Sequence, residues 1–486
     1  MPASRFPRFL MSSFAVALLA GGAAGATESA MPGVAHAPVS NAAGATAQYY
    51  GGVVTPNAKV YVVWWGDPSK INSAVTAAKG GIADFFAGVT NSSFMDGLNQ
   101  YSTNINATAG SKMGSAGTGQ YIGRGNYAGT FTLMNVPSGT SITDAQIQTA
   151  LDAAFDAGTL PEPDDNAIYA VYFPQGLSIT LDGSKSCSAF GAYHEAILET
   201  KRHNAIYLVM PDCGSSFAGW CSVSTHELVE AMTDNIPTPG SMPDYPQAWN
   251  DAMGNEMGDL CNGNGTVNTD FGTFTVQTIW DERTKTCKAF SSDAKDFNVA
   301  VSPNVATVSL NTPMTLTVKT AASVGAAESL TLSVTAPTGF TATVTPTTVM
   351  SGGTAALTVK ATTAAPATGV QIIVRADAMG TPVQTHTAAL LLTTSSVPAD
   401  LGAEPADMAA GAPDLAEPST GGNDGDDMAT GGGSGGNGEQ PGMPKGCGCV
   451  LGGATPASTL DGTWLPATLL LVAFVLLASR RRRQRA

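Results

Sequence analysis

Between residues 297 and 394 the chain repeats one pattern, polar residues alternating with Val, Leu or Ile in short runs. They are Phe297–Val301 (FNVAV), Met314–Val318 (MTLTV), Leu330–Val334 (LTLSV), Phe340–Val344 (FTATV), Ala356–Val359 (ALTV) and Val370–Val374 (VQIIV). Pro and Gly interrupt the pattern about every ten residues, as turns between strands do. Successive side chains of a strand point to opposite faces, so this period does not suit a helix and builds sheets with one apolar and one wet face. Residues 293–395 are therefore expected to form an immunoglobulin-like antiparallel β-sandwich. The segment has no cysteine and one histidine, His386, and reads as a spacer or adhesive module rather than a seat of catalysis.

The preceding region, 47–292, follows a different rule. Val60–Trp65 (VYVVWW), Ile168–Phe173 (IYAVYF) and Ala205–Met210 (AIYLVM) are apolar without alternation, the pattern of strands buried on both faces. Thr143 followed by Gln146 forms a capping box for a helix running through Ile147, Leu151 and Phe155. This mixture predicts an α+β domain with a substantial core.

Both ends carry excess positive charge. Arg5 and Arg8 precede the apolar run Phe14–Ala20, and Ala24–Ala26 are small, so residues 1–26 read as a secretory signal. Export places the cysteines where disulfides persist. Residues 396–446 are rich in Gly, Pro, Ala and Asp and predict an acidic, disordered linker. In 447–486, Cys447 and Cys449 precede the apolar stretch Trp464–Ala478 and Arg480–Arg483. That order resembles the myxobacterial C-terminal sorting signal. The resemblance implies processing near the cysteine pair, membrane attachment through the tail and display on the cell surface. Against 38 Asp and Glu, the 23 Lys and Arg give a net charge of −15, which argues against nucleic acid as a partner.

The chemistry concentrates in residues 187–287. Cys187, Cys213, Cys221, Cys261 and Cys287 permit two bridges and one thiol, and the sequence does not select among the arrangements. Cys261 with Cys287 is the first choice, and Cys213 with Cys221 is the local alternative to a pairing through Cys187. The most informative stretch is Ser224–Asp234 (STHELVEAMTD). His226 and Glu230 stand four apart on one helix face, the spacing of the two histidine ligands in His-Glu-x-x-His metalloproteases. Glu227 then occupies the place of their general base. Glu230 replaces the second histidine, and a carboxylate is also a zinc ligand. By analogy with gluzincin-type zinc enzymes, the downstream Glu256 supplies a third ligand and Asp259 orients a histidine.

Three other readings stand beside this one. Ser224 and Glu227 also make a capping box, which needs no metal. An oxygen-rich set with Asp234, Asp251 and Asp259 suits calcium as well as His226, Glu230 and Glu256 suit zinc. His194 is a second-tier candidate for a supporting residue that reaches the site from a strand or loop, although a structural, hydrogen-bonded or exposed histidine is the favoured reading there, and His203 belongs to the surface. No Gly-x-Ser-x-Gly or Gly-x-x-x-x-Gly-Lys motif occurs, which removes the main support for serine-hydrolase and nucleotide-hydrolase readings.

Taken together, Tyr49–Gly52, Val63–Gly66, Ile168–Tyr169, Cys187, Tyr193–His194, Cys213 to Cys221, Ser224–Asp234, Glu256–Cys261 and Val276 through Trp280 to Cys287 resemble the Exordium family, also called phosphate-induced proteins. The resemblance implies an extracellular protein tied to cell-wall or surface physiology. Two functions are expected of a zincin-like mixed domain followed by a sandwich. One is a metal-dependent hydrolase of peptide or related bonds with Glu227 as base. The other is a non-catalytic surface protein for adhesion or signalling, whose partner is a cell-envelope or extracellular polymer or peptide.

Overall fold

The computed structural model describes residues 45–198, 202–237, 243–289, 296–380 and 384–395. The expected leader, acidic linker and sorting tail with Cys447 and Cys449 lie outside the described residues. What is described is a β-rich α+β fold.

Five strands form the central sheet of the first domain: β1 (Lys59–Trp65), β2 (Asn126–Leu133), β3 (Ala167–Tyr172), β4 (Tyr193–Ile197) and β5 (Ala205–Met210). Their order is β2-β1-β3-β5-β4. The first four of that order run parallel, and β4 is an antiparallel edge strand. Alternation divides each strand between two cores. Val60, Val62, Trp64, Ile168, Ala170 and Tyr172 enter one core, and Tyr61, Val63, Trp65, Tyr169 and Val171 enter the other. Both sets are apolar because both faces are covered.

Helix α1 (Ile82–Val89) and helix α3 (Phe217–Thr233) lie on the first face, and α2 (Asp144–Asp156) lies on the second. The capping box of α2 forms as its sequence predicts: Gln146 N donates to Thr143 Oγ1, and Thr143 N donates to Gln146 Oε1 at 2.9 Å. A hairpin of β6 (Asn264–Thr269) and β7 (Gly272–Gln277) then covers the outer side of α3. Ser222 Oγ meets Asn264 Oδ1 at 2.6 Å, and Gln277 N donates to Thr225 Oγ1 at 3.2 Å. Helix α3 is thus enclosed between sheet and hairpin.

Residues 296–395 form a four-stranded and a five-stranded sheet around one core that includes Phe297, Val299, Leu316, Leu332, Leu357, Ile372 and Leu390. The six alternating runs all lie in strands. Three further strands, Val305–Ser309, Thr348–Met350 and Thr385–Ser395, carry no such signal. Thr385–Ser395 is buried over its first eight residues because its second face meets the first domain. Arg124 N donates to Thr387 O at 2.9 Å, Ala389 N to Arg124 O at 3.0 Å, and Asn126 Nδ2 to Ala389 O at 3.2 Å. The Arg124 guanidinium is held by Asp96 through two buried bonds of 2.9 and 2.6 Å. The sandwich, expected as a spacer or adhesive module, is hydrogen-bonded to the domain it follows. His386, for which no catalytic role is expected, is buried with its Nε2 2.7 Å from Asp296 Oδ1.

Cys187 is bonded to Cys213, and Cys261 to Cys287. The local Cys213–Cys221 pairing does not occur, because Cys221 lies in α3 with its thiol buried and pushed up to about 12 by that burial. A thiol this basic is no nucleophile. Each bridge closes a separation of 26 residues, for which loop-closure entropy gives roughly 3 to 4 kcal/mol. Replacing Cys261 and Cys287 together by Ser is expected to lower stability by about 2–4 kcal/mol in urea unfolding, whereas Cys221→Ser should cost less than that.

Candidate metal centre

Helix α3 begins at Phe217, with Ser216 Oγ accepting from Gly219 N at 3.2 Å. The capping box expected from Ser224 and Glu227 does not form, because both residues lie inside the helix. Ser224 Oγ instead meets Tyr172 Oη at 2.7 Å. Glu227 is therefore not explained by a helix terminus. It is 1% exposed, and neither of its oxygens has a hydrogen-bond partner.

His194 reaches this helix from β4. Its neighbours Ala192 and Ala196 enter the core on the α3 side, whereas Tyr193 and Ile197 enter the opposite core. His194 shares the parity of the alanines. It is fully buried, and its Nε2 lies 2.9 Å from Asp234 O. A carbonyl only accepts, so Nε2 carries a hydrogen and Nδ1 is the ring nitrogen left to face the helix. That Nδ1 has no hydrogen-bond partner and lies 3.7 Å from Glu230 Oε2 and 3.9 Å from Glu227 Oε2.

His226 holds the other side. Its Nε2 lies 3.0 Å from Glu230 Oε1 and 3.8 Å from Asp259 Oδ1. Neither Nε2 nor Glu230 Oε1 makes a hydrogen bond despite that proximity, so they converge on common space rather than on each other. Gln277 Nε2 stands 2.8 Å from His226 Nδ1 and donates to Gly258 O and Cys261 O at 2.8 and 3.0 Å, fixing the ring against the loop. Gly258 has to be glycine here: an added Cβ would stand 2.8 Å from Glu230 Oε1 and 2.9 Å from His226 Nδ1.

Two groups of ligand atoms result, each within 4.8 Å of one another: His226, Glu230 and Asp259, and His194, Glu227 and Glu230. Buried His, Glu and Asp side chains capable of holding a metal ion are thus present. The expected partnership of His226 and Glu230 is brought together, but Asp259 rather than Glu256 completes it. Glu256 lies on the far side, its unpartnered Oε1 3.5 Å from His194 Nε2. Asp234 and Asp251, considered as calcium ligands, are engaged in shaping the loop. Asp234 accepts from Ala248 N at 2.8 Å and from Asn250 Nδ2, and Asp251 accepts from Met253 N and Asn255 N. His203 is exposed and paired with Asp165 at 2.8 Å.

The loop bearing Glu256 and Asp259 is anchored at both ends. Trp249 and Asn250 pair with Tyr49 and Gln48, and the Trp249 ring stacks on Tyr49 at 5.3 Å. Cys261 is tied to Cys287 just beyond Asp259. Cys187 lies just before β4 and Cys213 just before α3, so each disulfide braces a segment that contributes to the cluster.

Two surface cavities lie elsewhere. One of about 510 Å³ is lined by Asn91, Arg124, Asp270, Ser302 and Lys319, and one of about 580 Å³ by Lys59, Tyr61, Pro161 and Gln371. Neither is lined by a residue of the cluster.

No protein-family model matches the chain, and no curated protein does. Among solved structures it is similar to domains 4 and 5 of the S-layer protein SbsC, at 13% identity and a TM-score of 0.16, over 28% of this chain and 66% of that one. It is also similar to mouse clustered PcdhgC3 EC1-3, at 14% identity and a TM-score of 0.16, over 27% and 41%. A nucleoside hydrolase-related hypothetical protein from Saccharophagus degradans matches at 9% identity and a TM-score of 0.18, over 69% and 100%. The chain spans 18% of the longer SbsC structure of domains 1–6. None of these likenesses defines the fold or an activity.

Burial dominates the ionisation of the cluster. It raises Glu227, Glu256 and Asp259 well above the carboxylate range and Asp234 to about 8. Burial would raise Glu230 too, but His226, followed by His194, outweighs it and lowers Glu230 to about 2. An acid with a raised folded-state pKa keeps its proton when the unfolded chain releases one, so stability falls as pH rises from the ordinary carboxylate range through neutrality. Metal-free protein is therefore expected to melt at a lower temperature at pH 8 than at pH 5.5. A divalent ion displaces those protons, so added Zn²⁺ should raise the melting temperature more at pH 8 than at pH 5.5.

Proposed function

We propose that this is an exported, Exordium-like protein of the cell surface whose α+β domain holds a divalent metal ion in the buried cluster, and that the centre is structural. The ligands are His226, Glu230 and Asp259, with zinc favoured over calcium because imidazole joins the carboxylates. One observation carries this reading. Seven ligand-type atoms, on His194, His226, Glu227, Glu230, Glu256 and Asp259, are buried without a hydrogen bond. A buried unsatisfied polar atom costs about 1–3 kcal/mol, and so many in one place call for an ion. The ion's role here is to neutralise carboxylates and tie helix to loop, which couples binding to folding. Two disulfides fit a secreted or extracellular protein. The ordered pair of domains then presents a surface to a cell-envelope polymer or peptide, and the tail supplies attachment to the membrane.

A metal-dependent hydrolase with Glu227 as general base is the second reading. Both Glu227 oxygens lack partners directly beside His226, which favours it. Enclosure opposes it. His226, the most exposed member of the cluster, is 7% exposed, and neither of the cavities described above reaches it.

The full-length protein is expected to retain zinc through dialysis and to lose at least half of it in His226→Ala. Unchanged occupancy in that variant would remove the site. Incubation with a peptide library is expected to give no cleavage. Cleavage that disappears in Glu227→Gln would establish the hydrolase instead.

A further inference from the structure

We infer that the cluster accommodates two divalent ions, with Glu230 bridging them. The second ion lies between His194, Glu227 and Glu230. This rests on the proposed metal centre and adds a site to it.

Three observations lead there. The first is the placement of Glu230, whose Oε1 faces His226 at 3.0 Å while Oε2 faces His194 at 3.7 Å. A carboxylate serving a single ion has no need of a histidine at each oxygen. The second is the preparation of His194. Its Nε2 hydrogen is committed to Asp234 O at 2.9 Å, and its Nδ1 is fully buried and faces two carboxylates. An Nδ1 facing two carboxylates needs a proton or a cation between them, and a metal ion serves all three groups at once. Fixing one imidazole nitrogen by a carbonyl while the other is offered to an ion is the usual arrangement at metal sites.

The third observation is charge. Glu227, Glu230, Glu256 and Asp259 are each less than 5% exposed. One divalent ion balances half of the charge of four ionised carboxylates, and two ions balance all of it. Unpaired buried charge is among the most costly features a fold can carry. Glu227 is a ligand in this arrangement, which also accounts for the absence of any protein hydrogen bond to its oxygens.

The test is a metal count on the full-length protein, stripped with chelator and reloaded with Zn²⁺ alone. Two zinc ions per chain are expected. His194→Gln, which keeps a donor for the Asp234 carbonyl, should fall to one, as should His226→Gln. One zinc in the wild type overturns the second site and leaves the single centre standing. Two zinc ions that survive His194→Gln also overturn it, and no zinc overturns both readings. If His194→Gln fails to fold, the wild type loaded with Mn²⁺ decides by electron paramagnetic resonance. An exchange-coupled pair supports two ions, and an isolated six-line spectrum contradicts them.

Discussion

Four carboxylates and two imidazoles share the space between one helix and one loop, shielded from water by a sheet on one side and a hairpin on the other. Ionised groups so placed are stable only when opposite charge lies among them, and among the described residues no Lys or Arg is an ion-pair partner of theirs. The alternatives are protons or metal. Protons neutralise the acids but leave seven buried ligand-type atoms of the cluster without a hydrogen bond. Metal satisfies both needs, and the surrounding structure is arranged to hold its ligands in place.

That arrangement draws on every layer of the first domain. The parallel strands, buried on both faces, form a rigid platform whose antiparallel edge strand presents His194. Helix α3 supplies His226, Glu227 and Glu230 from consecutive turns. The loop from Trp249 to Cys261 adds Glu256 and Asp259, and it approaches closely because Gly258 has no side chain. Gln277 links the hairpin to His226 and to that loop through one amide. Removing any of these supports would leave the ligand residues present but out of register.

Much of this was legible in the sequence because it depends on local periodicity. The Thr143–Gln146 cap, the three apolar strands and the six alternating runs follow from side-chain direction alone. The i, i+4 spacing likewise places His226 beside Glu230. What was illegible depends on neighbours distant in sequence. Ser224 and Glu227 satisfy a capping box on paper, but the apolar residues of the preceding turns extend α3 back to Phe217. The spacing of Glu256 and Asp259 along the chain does not reveal which of them faces His226, since the loop's course is set by Asp234, Asp251 and Trp249. His194 carried a usable signal, its shared parity with Ala192 and Ala196, which puts it on the buried α3 face. Thr385–Ser395 was missed because docking on Arg124 and Asn126 buries both of its faces and erases the alternation that marks its neighbours.

The central claim is that these residues form a metal centre rather than a protonated acid cluster. An anomalous-difference map from crystals of the zinc-loaded protein, recorded across the zinc edge, addresses it directly. The account predicts a peak within about 2.0–2.2 Å of His226 Nε2 and of carboxylate oxygens from Glu230 and Asp259. A map with no anomalous density between those side chains, from crystals that show zinc bound at other positions, would contradict it.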